Sequence, residues 1–257
     1  MTTAASTDGP LHRMTRVLES FSTRDRELSA AELSRRSGLP RSTAHRLATE
    51  MTSVGLLEQT PDGLYRLSMR LFEWGHLAVL ADGLRESAAG HLADLANITR
   101  ETVHLAVMEG HDVVYLDVIR NSAAPFLNSR PGGRMPPSCT GVGKAILAHS
   151  DPQLVEDLIR EGLPKLTPHS VTDGAILQAQ LKQVRRTGLA YDQQENAIGT
   201  ICCAAPVFGL DGEVIGAVSV TGRADHLRLD RVGMAVRSTA ASISRAQGGL
   251  PPVRRES

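Results

Sequence analysis

Cysteine is scarce in this 257-residue sequence. Cys139, Cys202 and Cys203 are too few and too unevenly spaced for a disulfide framework or a zinc site, so a reducing, intracellular setting is expected. Aromatic residues make up only 3% of the chain, which argues against a stacking platform for single-stranded nucleic acid. Neither sign of charge is in excess, with 28 Lys plus Arg against 28 Asp plus Glu, so any basic site must be local. No run approaches the roughly 18 apolar residues of a spanning helix. The first twenty residues, with Asp8, Pro10, His12 and Arg13, lack the apolar stretch of a secretory signal. A cytoplasmic protein with no membrane partner is expected. Metal-ligand spacings such as His-x-x-x-His and Cys-x-x-Cys are also missing, and neither metal nor cofactor is expected. Gly143 and Lys144 do not form a phosphate loop, because Ser138 stands where its first glycine belongs and Ala145 where its magnesium-binding hydroxyl belongs.

What is present is a hydrophobic fraction of 41%, enough to bury a sizeable core, on a length that suits two domains. Leu11, Met14, Val17, Leu18 and Phe21 recur at helical spacing and predict a first helix ending near Ser22. Ser29 and Glu32, three apart, predict a capping box that opens a second helix, which Gly38 stops. Leu39 and Pro40 open a third helix running through Leu47 and Met51 to Gly55. Extended runs at 56–59 and 64–68 flank Thr60, Pro61, Asp62 and Gly63, whose turn chemistry predicts a hairpin. This is the layout of a winged helix-turn-helix, expected over 9–70 after a disordered lead-in at 1–8. A helical stripe broken at Asp82 and Gly83 predicts a linker over 71–89. An α+β region over 90–248 follows, with strands at 102–108, 113–119, 201–208 and 213–221. Its helices are expected near 139–149, 151–162, 173–187 and 229–247, with a long loop from Arg120 to Pro137 and a tail at 249–257.

The first 75 residues hold ten arginines against nine acids, so placement matters more than sum. Between Ser34 and Ala48 stand Arg35, Arg36, Arg41, His45 and Arg46 with no acid. Positions 41, 42, 45 and 46 share one face of the third helix, leaving Ala44, Leu47 and Met51 to pack inward. Ser42 and Thr43 in its first turn offer N–H groups and hydroxyls to a phosphate, while the arginines reach base edges. Four arginines would also suit a solvated helix surface. The agreement of turn, wing and acid-free stretch favours double-stranded DNA as the partner.

These residues resemble the IclR family of bacterial transcriptional regulators over Leu11 to about Gln247. The likeness rests on Leu33 to Leu47 (LSRRSGLPRSTAHRL), the wing from Gly55 to Leu67, Glu101 to Ala106 (ETVHLA), Thr140 to Ala145 (TGVGKA) and Cys202 to Val207 (CCAAPV). It implies an N-terminal winged helix-turn-helix domain, a helical linker used in dimerisation, and a C-terminal GAF-like effector-binding domain. It also implies a DNA operator, a homodimer or dimer of dimers, and a small organic effector such as a carboxylate or aromatic catabolite from a pathway encoded nearby. Carried over by position, Gly141 and Val142 resemble the place where effector oxygens meet backbone N–H groups. Asp192, Cys202, Ser219 and Thr221 resemble its polar lining, and Leu127 and Met135 its apolar walls. Ser219 and Thr221, two apart on a strand, face the same side of the sheet.

A reading of a different class is a GAF-like small-molecule sensor, or a cysteine-dependent enzyme, that does not bind DNA. Cys139 at a helix N-terminus would have a lowered pKa, yet no histidine has the spacing of its base. Cys202 and Cys203 are adjacent, which disfavours an unstrained redox disulfide. No catalytic residue is assigned.

Overall fold

A computed structural model describes residues 9–76, 82–120 and 129–249, except the side chains of His76 and Asp82. The chain divides into two compact units, Met1–Leu80 and Ala81–Ser257. The fold is α+β, with a winged helix-turn-helix in the first unit and a curled, GAF-like sheet with helices in the second.

In the first unit the order is α1 (Pro10–Leu18), β1 (Glu27–Leu28), α2 (Ala30–Ser37), α3 (Arg41–Ser53), β2 (Leu57–Gln59), β3 (Tyr65–Leu67) and α4 (Met69–His76). The capping box of α2 is complete: Glu32 N–H donates to Ser29 Oγ at 3.3 Å, and Ser29 N–H donates to Glu32 Oε2 at 3.0 Å. Gly38 ends α2 with a φ of 66°, a left-handed conformation in which a side chain would be strained. The two strands of the expected hairpin pair as β2 and β3, and β1 adds on the far side of β3. The sequence pattern did not reveal β1, because a two-residue strand has no periodicity and is specified by its partner. Val17, Leu33, Ala44, Leu47, Ala48, Met51, Leu57 and Tyr65 form the core. A leucine buried this way contributes about 1.5–3 kcal/mol. α1 stops at Leu18, short of the expected Ser22, although Phe21 still packs into the core.

The second unit runs α5 (Asp82–Thr99), β4 (Thr102–Glu109), β5 (Asp112–Ile119), β6 (Arg134–Met135), a 3-10 turn at Pro137–Cys139, α6 (Gly141–Leu147), α7 (Pro152–Glu161) and α8 (Gly174–Thr187). It ends with β7 (Ala190–Gln193), β8 (Thr200–Phe208), β9 (Val214–Arg223) and α9 (Leu229–Ala246). The strands form one antiparallel sheet in the order β6-β5-β4-β9-β8-β7. One face packs on α5 and α9 through Leu92, Val218, Val220 and Ile243, and the other on α6, α7 and α8 through Ile146, Leu158, Leu177 and Ala217. Cys203 and Cys202 fall on these two opposite faces, as neighbours on a strand must. β6 lies within the segment expected to be a loop, and β7 was not anticipated.

Candidate effector cavity and nucleic-acid interface

Register brings the polar residues of the sheet together. Thr102, Thr221, Cys202 and Asp192 form one cross-strand row over β4, β9, β8 and β7; His104, Ser219, Ala204 and Ala190 form the row two residues on. Alternation points both rows to the same face. Towards the next row the face turns small and apolar at Ala106 and Ala217, where α6 covers it. Gly141 permits that approach, since a Cβ there would lie 2.7 Å from Cys202 Sγ. Gly143 is more constrained still, because a Cβ would meet Pro137 O at 2.3 Å. Gly143→Ala is therefore expected to destabilise the second unit by about 1–3 kcal/mol, read from its thermal unfolding. An unchanged midpoint would contradict the packing.

Where the polar rows escape α6, a cavity of about 370 Å³ opens. Met135, Gly141, Val142, Asp192, Cys202, Ser219 and Thr221 all line it. Leu127 lies outside the described residues. Thr140 caps α6 by accepting from Gly143 N–H at 3.1 Å, while the first-turn N–H groups of Gly141 and Val142 have no acceptor among the described residues.

Sequence reasoning missed several lining groups: His104, Tyr115, Ser129, Thr140, Asn196 and Thr200. His104 is the most central of them. Its Nε2 lies 2.8 Å from Ser129 Oγ, and its Nδ1 lies 3.3 Å from Ser219 Oγ and 3.4 Å from Thr221 Oγ1. Burial, assisted by Arg120, pushes its pKa down to about 3, so the ring is neutral near pH 7. The period-2 pattern placed His104 on the same face as Thr102, but only the pairing of β4 with β9 sets it opposite Ser219.

Asp192 is 4% exposed. Its Oδ1 accepts from Glu195 N–H at 2.7 Å and from Asn196 N–H at 3.4 Å. Burial raises its pKa to about 7; those hydrogen bonds and Lys144 oppose the shift, and Glu195 adds to it. Behind it, Lys144 at 1% exposure donates to both Glu195 oxygens, at 2.7 and 2.8 Å, and to Gln180 Oε1 at 3.0 Å. All three ammonium hydrogens are thereby used. This pair ties α6 and α8 to the loop that supplies Asn196 and Ala197 to the cavity. No local pattern marks this pair, since its members are 51 residues apart.

The cysteines do not support a cysteine-dependent enzyme. Cys139 sits in the 3-10 turn before α6, fully buried, donating to Pro164 O at 3.4 Å, and burial raises its pKa rather than lowering it. Burial pushes the Cys202 and Cys203 thiols up to about 12. None of the three is an activated thiolate.

In the first unit, Arg41, Ser42, His45 and Arg46 are exposed on one face of α3, and Thr43 is half-buried. Ala44, Leu47, Ala48 and Met51 are buried on the other. Pro40 lends α3 no side-chain cap, and the first-turn N–H groups have no acceptor among the described residues, an arrangement suited to a phosphate. Arg46 Nη1 lies 3.6 Å from Glu50 Oε2, with both side chains more than half exposed, so water screens the pair. Arg35 is exposed on α2. Arg36 is held differently, donating to Asp25 Oδ2 at 3.0 Å and to Ser20 O at 3.2 Å, which makes it a brace within the unit.

Two family models match the chain: the C-terminal part of the bacterial transcriptional regulator IclR over residues 76–245, and the IclR helix-turn-helix domain over residues 10–61. The chain belongs to the IclR family. It is an IclR-type DNA-binding transcriptional regulator. The HTH-type transcriptional regulator XynR of Escherichia coli K12 is 32% identical over 93% of this chain and 96% of its own length. The transcriptional repressor IclR of the same organism is 30% identical over 93% and 90%. Among solved structures, an IclR homolog from Microbacterium hydrocarbonoxydans complexed with 4-hydroxybenzoate superposes with a TM-score of 0.83, at 31% identity over 93% of this chain and 99% of that one. The Thermotoga maritima IclR structure gives a TM-score of 0.75 at 25% identity, over 93% and 97%. These relatives are regulators rather than enzymes. No helix among the described residues is long and apolar enough to cross a membrane.

Proposed function

We propose that this IclR-type regulator senses a small organic metabolite, a carboxylate or aromatic catabolite, and controls catabolic genes encoded nearby from the cytoplasm. Residues 9–70 read DNA through Arg41, Ser42, Thr43, His45 and Arg46, aided by Arg35, while Arg36 orients α2 beneath them. Residues 71–89 link them to an effector domain at 90–248. A homodimer or dimer of dimers sets two α3 helices on pseudo-palindromic half-sites, and ligand shifts the population of DNA-competent arrangements.

The observation that carries the sensing half is the cavity of about 370 Å³, lined by a buried carboxyl, hydroxyls and open N–H groups against the apolar Met135 and Val142. Its size falls within the roughly 300–1,000 Å³ of small-molecule sites. The 4-hydroxybenzoate held by the Microbacterium homolog has the chemistry this lining suits, an anionic end for the N–H and hydroxyl donors and a phenol that can donate. A mobility-shift titration on DNA upstream of the protein's own gene, with 4-hydroxybenzoate and smaller carboxylates added, tests this directly. A carboxylate is expected to change the bound fraction, and Ser219→Ala to raise the concentration needed about tenfold, as for the loss of one hydrogen bond to a charged group. A response indifferent to Ser219→Ala would place the effector elsewhere.

A further inference from the structure

Among the described residues the cavity offers an anion many neutral donors and no cation. None of its described lining residues is Lys or Arg, and residues 121–128 carry no charged side chain in the sequence. The nearby cations are engaged: Arg120 donates to Ser129 O, and Lys144 to Glu195 and Gln180. Asp192 Oδ1 is occupied by two backbone N–H groups, while Oδ2 has no donor among the described residues. A carboxylate entering beside an ionised Asp192 would set two like charges together in a largely buried space, offset only by neutral donors and by the more distant charges of Lys144 and Arg120.

We propose that the cavity takes up small carboxylates together with one proton, shared between Asp192 Oδ2 and a carboxylate oxygen of the ligand. The proposal rests on the reading of this cavity as the effector site and adds the protonation state in which it works. The balance is simple: ligand carboxylate, Asp192 carboxylate and one proton from solvent give a neutral Asp192 carboxyl donating to the ligand anion. The Asp192 O–H bond forms as the corresponding bond of hydronium or of a buffer acid breaks, and no other bond changes.

The other groups facing Asp192 do not compete for that proton. His104 on β4 is held neutral, its pKa near 3, while burial holds the Tyr115 hydroxyl on β5 and the Cys202 thiol on β8 in their protonated forms. Glu195, on the loop after β7, is paired through both its oxygens with Lys144 of α6. Asp192 is thus the described cavity group whose charge changes near neutral pH, being raised to about 7 when the cavity is empty. A bound carboxylate raises it further. The sign follows: below about 7 the carboxyl is already protonated and affinity is flat, and above it each pH unit weakens carboxylate binding about tenfold.

Calorimetric titration of the full chain with sodium benzoate and with neutral benzamide, on both sides of neutral pH and in buffers of differing ionisation heat, decides the matter. Expected are a benzoate affinity that falls about tenfold per unit above neutral pH, uptake of close to one proton there, and benzamide binding that does not change with pH. Asp192→Asn should make benzoate binding pH-independent; the buffer-derived proton count in the wild type stands even if that variant fails to fold. Benzoate binding that is weakened by Ser219→Ala but flat with pH would overturn the proton proposal alone. A pH dependence that survives Asp192→Asn would overturn it as well. Failure of benzoate and benzamide to bind at any pH would overturn both this proposal and the placement of the effector.

Discussion

Lys144→Met is expected to cost the second unit about 3–5 kcal/mol, because it leaves the Glu195 carboxylate buried with its countercharge removed. The geometry explains the size. Both members are at most 5% exposed in their side chains, the ammonium reaches both carboxylate oxygens, and Gln180 takes its third hydrogen. Such a pair is not necessarily stabilising against a well-packed apolar alternative, since two charges have been taken from water. Removing one member and keeping the other is the costly case. Glu195→Gln in the Lys144→Met background should therefore recover a large part of the loss, which makes the urea midpoints of the two singles and the double strongly non-additive. A Lys144→Met protein within about 1 kcal/mol of wild type would show that the pair does not hold the loop. The consequence reaches the cavity, because Glu195 N–H also fixes Asp192 Oδ1, and Ser170 Oγ and Thr167 Oγ1 donate to the carbonyls of Glu195 and Gln194.

Arg41→Ala and Arg46→Ala, by contrast, are expected to leave folding almost untouched and to weaken DNA binding. Both side chains are exposed, and neither belongs to the core of the first unit. Where the lost contact is bidentate to guanine, affinity for the specific site should fall by about 1–3 kcal/mol, with relaxed preference at that base pair. Where it is to phosphate, binding should weaken evenly across sequences and the salt slope should drop by about 0.9. Titrations at several salt concentrations on specific and unrelated duplexes separate the two cases. Arg36→Ala should behave as neither: its bonds to Asp25 and Ser20 O predict lower stability of the first unit.

Local chemistry is what made the first unit legible. The capping box at Ser29 and Glu32, the left-handed stop at Gly38 and the inward set Ala44, Leu47 and Met51 are all written within a few residues of where they act. The second unit was readable strand by strand at β4, β5, β8 and β9, but not in its assembly. β6 and β7 are too short to show a period, and their existence depends on partners far along the chain. His104 became part of the cavity only through a pairing that spans 115 residues. Gly143 and Lys144 show the same limit. In sequence they looked like an incomplete phosphate loop; in the fold the glycine lets α6 touch Pro137 and the lysine closes a buried ion pair.

The central claim, that the exposed face of α3 reads bases in the major groove, is tested most directly by dimethyl sulfate protection of the bound site, which reports guanine N7 in the major groove and adenine N3 in the minor. The account predicts guanines shielded in each half-site by the wild-type protein, with one of them re-exposed by Arg41→Ala or Arg46→Ala under conditions that restore full occupancy. Protection confined to adenine N3, or a guanine pattern identical in wild type and both variants, would contradict it.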